Sequence, residues 1–580
     1  MTGSPWVAPA SGIYGLFRLD GGPIDEKDAT KLGLDVAGPE SHVAAGRDAR
    51  APETVHRAES GRELTILVGQ LDGVQALASS LAEPPSTPPA LLARAALARF
   101  GSDTPAIVTG EWSLLHWAGP GRLTLMNSAA LRDRIFYSVS GPRIAVAPDL
   151  FRLSSLSWGA GQIDEEGLLF GLARGALRGA VGERTMLGGV RQLEPGCSVT
   201  FSTEGIRRAR SQPFTPQPRW PGNFADAMHA AEELLRAVLR ERLERTRSPA
   251  VMLSGGLDSS TLACFAAGER SRQQPLLLFT SVAPPESGLS DEAAFADTVA
   301  DQLGLRSEHI WPERDANIYR PPDFILASAG GPPLPTRHCL TESFQRAARA
   351  RSATVLLDGT WGELTFSGLA PNYPRHLGAE AAAWLRKITA RGPSSNAFHV
   401  RLAPRKVAAL PDAVESHLER GPVEAQHESR SDLWGYHRGA IRAMRHANQF
   451  YGGAVRADFP YRDLRILRLF AGFPAEFMRR GRLDRAPART ITLGRLPESV
   501  RLRKVGGAAS PDHLERMRRQ APAARDRIAE FRKAGVDEWL DLDWLDGALL
   551  RIARRAPRSY EESNLVQLTA ITAEFLTWWR

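Results

Sequence analysis

"AVMLSGGLDSSTLACFAA", Ala250 to Ala267, is the stretch on which the reading of the chain turns. An apolar run, Val251 to Leu253, reads as a buried strand. It passes through Ser254, Gly255, Gly256, Leu257, Asp258, Ser259 and Ser260 into an apolar helix. Two glycines let backbone amides approach an anion closely, serines add hydroxyl donors, and the helix N-terminus adds partial positive charge. An Asp in such a loop would repel phosphate, so its natural role is to hold a magnesium ion that bridges phosphates. A plain Gly-Gly turn explains the glycines but not Asp-Ser-Ser. The stretch lacks the Gly-Lys-Ser/Thr ending of a Walker loop.

Outward from this loop, "PAVMLSGG", "PLLLFTSV" and "ATVLLDG" read as buried strands alternating with helices, the pattern of a parallel α/β sheet. "FADAMHAAEELLRAVLRERLERT", from Phe224, is a long amphipathic helix. After about residue 380 the chain reads as largely helical, to the closing "NLVQLTAITAEFLTWWR". Upstream, "GIYGLFRL", "LTILVG", "AIVTGEWSLLHW", "RLTLM", "RIFYSV", "RIAVA" and "SVTF" are short apolar runs between turn signals, an antiparallel, sheet-rich pattern. "SQPFTPQPRWPGN", Ser211 to Asn223, carries four prolines and reads as a linker. The expectation is α+β and α/β: a β-rich domain over 1–212 and an α/β domain with a helical C-terminal part over 213–580.

The 580 residues allow two or three domains. A net charge of +8 and a pI near 9.6 raise the question of nucleic acid. The basic residues are spread singly and set against 65 acidic ones, so a solvated surface is expected and no nucleic-acid partner. Cys197, Cys264 and Cys339 form no metal or disulfide pattern, the start has no signal-peptide pattern, and no run is long enough for a membrane span. These point to the cytoplasm, where ATP is available.

The SGGLDSS stretch resembles the SGGxDSS pyrophosphate loop of the ATP pyrophosphatase group. Other stretches are similar, in the same order, to those of asparagine synthetase-like proteins. "LGGVRQLEPGCSVTF" is similar to the segment closing their N-terminal domain, and "SGLSDEAAFADTVADQLGLRSEHI" follows the second strand, with Asp291 and Glu292 opening a helix. "VLLDGTWGELTFSG" stands where the family has LSGxGxDELFxGY, "FPYRDLRILRLF" resembles its PFLD segment, and "LPESVRLRKVGG" its LPxxIxxRxK segment. The resemblance implies an Ntn-type, glutaminase-like sandwich ahead of a domain that cleaves ATP between its α and β phosphates. It also implies ATP binding by Leu253 to Ser260, Gly359, Ser281 and Val282, and magnesium binding by Asp258 and Glu363. Lys504, with Arg503 or Arg501 as substitutes, is the expected cation near the phosphates and the oxyanion. The arginines from Arg479 to Arg489 read as a solvated run, and His338 as structural.

The departures from the family pattern narrow the function. Family glutaminases begin with a Cys directly after the initiator Met; here position 2 is Thr2, and the matching Ser11-Gly12-Ile13-Tyr14-Gly15 has an internal Ser. The NGEIYN stretch is reduced to "VGQLDG" and RDxxGxRPL to "NSAALRDRIFY". Three losses in one site imply no glutaminase, hence another nitrogen source. Thr360 stands where asparagine synthetases carry Glu and β-lactam synthetases Tyr, which implies a different substrate. The chain is similar to the lasso peptide cyclases, which imply a precursor peptide as substrate and a leader peptidase as partner. An ammonia-using asparagine synthetase, a β-lactam synthetase and a noncatalytic peptide-folding scaffold remain alternatives.

Overall fold

The structure is a computed structural model. It describes residues 12–34, 43–47, 55–60, 62–130, 134–158, 161–173, 182–211, 219–368, 398–414, 455–504 and 510–580, without 272, 285–286, 290, 312–315, 329–330, 332–335, 413 and 558–559. Ser11 and most of the proline-rich linker lie outside the described residues, as does much of the segment after residue 380.

Among the described residues, eleven strands form two sheets in the N-terminal region. One contains β1 (Ile13–Arg18), β2 (Val43–Arg47), β7 (Phe136–Ser140), β8 (Arg143–Ala147) and β9 (Val190–Gln192) in the order β2-β1-β8-β7-β9. The other contains β3 (Val55–Ser60), β4 (Glu63–Leu71), β5 (Gly110–Trp117), β6 (Arg122–Asn127), β10 (Cys197–Ser202) and β11 (Gly205–Arg210) in the order β11-β10-β6-β5-β4-β3. Alternation decides how they stack, because successive side chains leave opposite faces of a strand. Phe17, Ile66, Val68, Leu115, Trp117, Leu125, Val146 and Phe201 share the core between the sheets. The alternate residues of the same strands face outward, yet Leu67, Leu114 and Met126 are buried against the helix Pro89–Phe100. Tyr14, Leu16 and Ala145 are likewise buried among helical residues on the other outer face. The result is four layers, helix, sheet, sheet, helix, which is why β4, "ELTILVGQL", is buried almost without interruption on both faces.

The second region is a five-stranded parallel sheet of β12 (Pro249–Met252), β13 (Leu277–Ser281), β14 (Ser307–Ile310), β15 (Val355–Leu357) and β16 (Arg456–Asp458), ordered β14-β13-β12-β15-β16. The chain moves outward from β12 to β14, then returns to the other side of β12 with β15. The loops after β12 and β15 therefore leave the sheet on either side of a topological switch point, where open α/β sheets bind ligands. The helix Phe224–Glu244 packs below, started by a capping box in which Asn223 and Asp226 satisfy each other's backbone amides. Among the described residues no helix is long and apolar enough to cross a membrane.

The two regions meet along a buried charged seam. Arg242, 4 % exposed, lies 3.6 Å from Asp72 and 3.4 Å from Asp463 and also pairs with Asp458. Arg245 donates to the Leu71 carbonyl at 2.9 Å, and the Gly73 amide donates to Glu241 at 3.1 Å. Arg465 holds Glu241 at 2.8 Å and Asp463 at 2.9 Å. Burial raises the Asp72 carboxyl above the ordinary range; it opposes charge on Asp463 too, but there the Arg465 hydrogen bonds prevail and hold the carboxyl low. An apolar cluster also spans both regions, joining Tyr14 and Leu16 to Val566, Ile571 and Phe575 of the C-terminal helix Tyr560–Trp579.

Removing one partner from a buried ion cluster leaves its carboxylates uncompensated. Arg242→Ala is expected to lower the unfolding free energy by about 3–5 kcal/mol, read by denaturant titration. His338 is fully buried with Nε2 on the Ile318 carbonyl at 3.2 Å, and burial pushes its pKa down to about 4, as it does for His513. Both are neutral in the folded chain but protonate in the unfolded chain below the ordinary value of 6.5. Stability is thus expected to be lost as pH falls from about 6.5 towards 4, with a shallower loss in His338→Gln, measured by thermal melts across that range.

Candidate functional site

Strand β12 ends at Met252, and the loop Leu253–Gly256 leads into the helix Leu257–Glu269. The loop is fixed by its own serines. The Ser254 amide donates to Ser259 Oγ at 3.0 Å, the two hydroxyls lie 2.9 Å apart, and the Gly256 amide donates to Ser254 Oγ at 3.3 Å. Gly255 has a φ of +68°, in the left-handed region, and a Cβ there would stand 2.8 Å from the Cβ of Phe295. Ser260 is fully buried and its Oγ has no hydrogen-bond partner among the described residues.

The loop after β15 closes over the first. A Cβ on Gly359 would lie 2.9 Å from the Ser259 amide nitrogen, and one on Gly362 would collide with the Asp258 carboxyl. This close approach brings Glu363 near Asp258. Burial lifts the Asp258 pKa to about 6; Ser367 favours the charged form, Glu363 raises the value further, and Arg485 lowers it. Ser367 is close enough to act on the carboxyl, yet among the described residues neither its Oγ nor Asp258 Oδ1 has a partner in hydrogen-bond geometry. A buried carboxylate oxygen without a donor, beside a second carboxylate, suits a cation. Among the described residues no cluster of three or more His, Cys, Asp or Glu forms a metal cage. Two carboxylates fit magnesium that takes its other ligands from phosphate and water.

The expected cations divide. Arg503 lies over the Phe295 ring at 3.9 Å and pairs with the buried Glu292, so it is clamped against the residue that backs Gly255. Lys504, next to it, is exposed, without a partner among the described residues. Arg501 is occupied elsewhere, by Glu498 at 2.7 Å and the Arg489 carbonyl at 3.0 Å. The run Arg479 to Arg489 is not simply solvated. Arg489 is buried, with Asp484 at 3.0 Å and the Arg503 carbonyl at 3.0 Å. Arg485, at a φ of +51° where few non-glycine residues sit, is near enough to act on Asp258. The reading failed because the segment's fold against the phosphate loop is a long-range contact that local charge density does not report.

Thr360 is exposed, and its amide and hydroxyl both donate to Asp358, at 2.8 and 2.7 Å, so it shapes its own loop. Ser281 ends β13, beside β12 on the same edge of the sheet as the phosphate loop. The Val282 amide donates to Ile310 and the Ala283 amide to Asp291, whose other oxygen receives the Ala293 amide at the start of the helix Ala293–Gln302. Tyr461 was not anticipated: it is fully buried and its hydroxyl donates to the Asp258 carbonyl at 2.9 Å. Its only sequence signal was its place in "FPYRDL".

A family model described as asparagine synthase matches residues 230–580, more than half of the chain. No curated protein matches it. Among solved structures, the glutamine phosphoribosylpyrophosphate amidotransferase from B. subtilis complexed with ADP and GMP aligns at 11% identity and a TM-score of 0.24, over 60% of this chain and 85% of that one. An allosteric regulatory enzyme of purine biosynthesis aligns at 12% identity and a TM-score of 0.22, over 66% and 74%. Scores this low carry no argument about fold or function.

The contact between the two loops leaves no room for a methyl group. Gly362→Ala is expected to weaken binding of ATP with magnesium by about tenfold or more, the order of a 1–3 kcal/mol overpacking cost, while the far-ultraviolet circular dichroism is unchanged. Calorimetric titration of ATP into both proteins checks this.

Proposed function

The chain belongs to the asparagine synthase family, and from that premise we propose that it is an ATP-dependent, AMP- and pyrophosphate-forming ligase that closes a macrolactam in a ribosomal peptide, as lasso peptide cyclases do. The observation that carries the reading is the pairing of a serine- and glycine-built anion loop with the orphaned Asp258 carboxyl oxygen beside Glu363. Family membership supports amide-bond formation driven by ATP. Ser11 in place of the family's Cys and the altered "VGQLDG" and "NSAALRDRIFY" stretches favour an amine carried by the substrate. On this reading the N-terminal sandwich is a glutaminase-like fold without its nucleophile, and a leader peptidase supplies the free peptide N-terminus.

An oxygen of an Asp or Glu side-chain carboxylate in the peptide attacks the α-phosphorus of ATP, and pyrophosphate leaves. The peptide's N-terminal amine then attacks the acyl carbon, loses a proton, and AMP departs with the carboxylate oxygen. The peptide is lighter by one water. Loop residues Ser254 to Ser260 receive the phosphates, with Ser281 and Val282 against the adenine and Gly359 closing the cradle. Asp258 and Glu363 would hold magnesium, which when bound would supply positive charge opposite the phosphates. Lys504 and Arg503 stand for the positive charge that the leaving group and the tetrahedral oxyanion require. Thr360, tied to Asp358, sets the shape of the substrate side of the loop. Holding amine and acyl group in one molecule supplies effective molarity in place of a strong base.

The test combines the chain with ATP, magnesium, the peptidase and a candidate precursor peptide, and follows peptide mass and nucleotide products. Loss of one water with stoichiometric AMP is expected, and Asp258→Asn or Glu363→Gln is expected to slow it by about 100-fold or more. Asparagine from aspartate and ammonia, or a small β-lactam, would reassign the substrate. Formation of ADP would refute the mechanism, and full function in Asp258→Asn would favour a scaffold.

A further inference from the structure

The segment that resembles PFLD reads Pro460-Tyr461-Arg462-Asp463 here, so a Phe and a Leu of that pattern are replaced by a Tyr and an Arg. Both replacements put a polar group in the interior, where each costs free energy unless it is paired. Tyr461 is held by a hydrogen bond and Arg462 by a buried charge contact whose facing atoms, Nη2 and the Glu111 Oε1, are not in hydrogen-bond geometry; the two point in opposite directions. The Tyr461 hydroxyl donates to the Asp258 carbonyl at 2.9 Å, and its ring packs on Phe366 with centroids 5.5 Å apart. The Arg462 guanidinium, 1 % exposed, lies 2.8 Å from Glu111 of β5, itself 8 % exposed, and over the Phe459 ring at 4.8 Å. The two residues belong to a single 3-10 turn, Pro460–Arg462, so one rigid turn is gripped by the sandwich on one side and by the phosphate loop on the other.

We propose that Tyr461 and Arg462 are positioning residues through which the N-terminal sandwich holds the Ser254–Ser260 loop in its binding shape. The inference rests on the reading of that loop as the nucleotide site. Glu111 sits opposite Gln70 in the β4–β5 ladder, within the stretch that corresponds to the family's glutamine-holding segment. The seam contacts of Leu71, Asp72 and Gly73 come from the same stretch. A region relieved of glutamine binding is thereby used as the fixed anchor of the synthetase site. Direction matters in the chain of contacts: Glu111 fixes Arg462, Arg462 fixes the turn, and the turn fixes the hydroxyl of Tyr461 on the carbonyl of Asp258.

The test measures amide hydrogen exchange of residues 254–261 in the full chain without nucleotide, for wild type, Tyr461→Phe, Glu111→Gln and the double variant. Tyr461→Phe removes one hydroxyl and Glu111→Gln keeps the shape, so both leave the core filled. Each single change is expected to speed exchange in the loop by about fivefold, the scale of one lost hydrogen bond. The double variant is expected to show no more than the larger single effect, because both act through one turn. A Glu111→Gln protein that melts earlier but keeps wild-type loop exchange would overturn the proposal, as would effects that multiply in the double variant. Titration of ATP with magnesium into the same four proteins separates the two levels. Affinity is expected to fall in step with loop exchange, whereas a wild type that binds no ATP refutes the nucleotide reading and leaves exchange to judge the coupling.

Discussion

Two glycines without room for a side chain hold the site together. Gly359 lies on the Ser259 amide and Gly362 on the Asp258 carboxyl, so the loops after β12 and β15 approach as closely as backbone allows. Everything chemical about the site follows from this contact. It brings Glu363 to Asp258, removes water from the Asp258 carboxyl, and leaves an oxygen with no donor. Parallel order supplies the geometry, since the chain's reversal of direction across β12 and β15 opens the crevice at the point where the two loops emerge.

The sandwich is attached to this site by charge as well as by apolar packing. Arg242, Arg245, Arg462 and Arg465 meet Asp72, Glu111, Glu241, Asp458 and Asp463 along the seam. Such clusters add little net stability compared with apolar packing, but they are intolerant of displacement, because moving one charge leaves another desolvated. That intolerance suits a role in fixing geometry.

The strands whose apolar residues run or alternate were legible in the sequence: β1, β4 to β8, β10, β12, β13 and β15 all fall on stretches read as strands. The helix Phe224–Glu244 was legible through its periodicity, while its Asn223 cap emerges only in the structure. By contrast, β11 is "GIRRAR", exposed along nearly its whole length, and β9 is three residues with one pointing to solvent, so neither carries an apolar pattern. β14 and β16 are short and polar, and they became strands by pairing with β13 and β15. At the site, the turn of Ser254 to Ser260 was legible from its own glycines and serines, whereas Glu363, which the structure brings near Asp258, was reached only through the resemblance of "DGTWGELTFSG" to a family segment. Tyr461 and Arg485 were not legible, because each reaches Asp258 from more than two hundred residues away in the chain.

The proposed ligase activates a carboxylate by transfer of AMP to it. Heavy oxygen placed in the acceptor side-chain carboxylate of the precursor peptide follows that atom directly. After turnover with ATP and magnesium, mass spectrometry of the nucleotide is predicted to find one heavy oxygen in AMP for each macrolactam closed. Label in inorganic phosphate, with unlabelled ADP as the nucleotide product, would contradict the account.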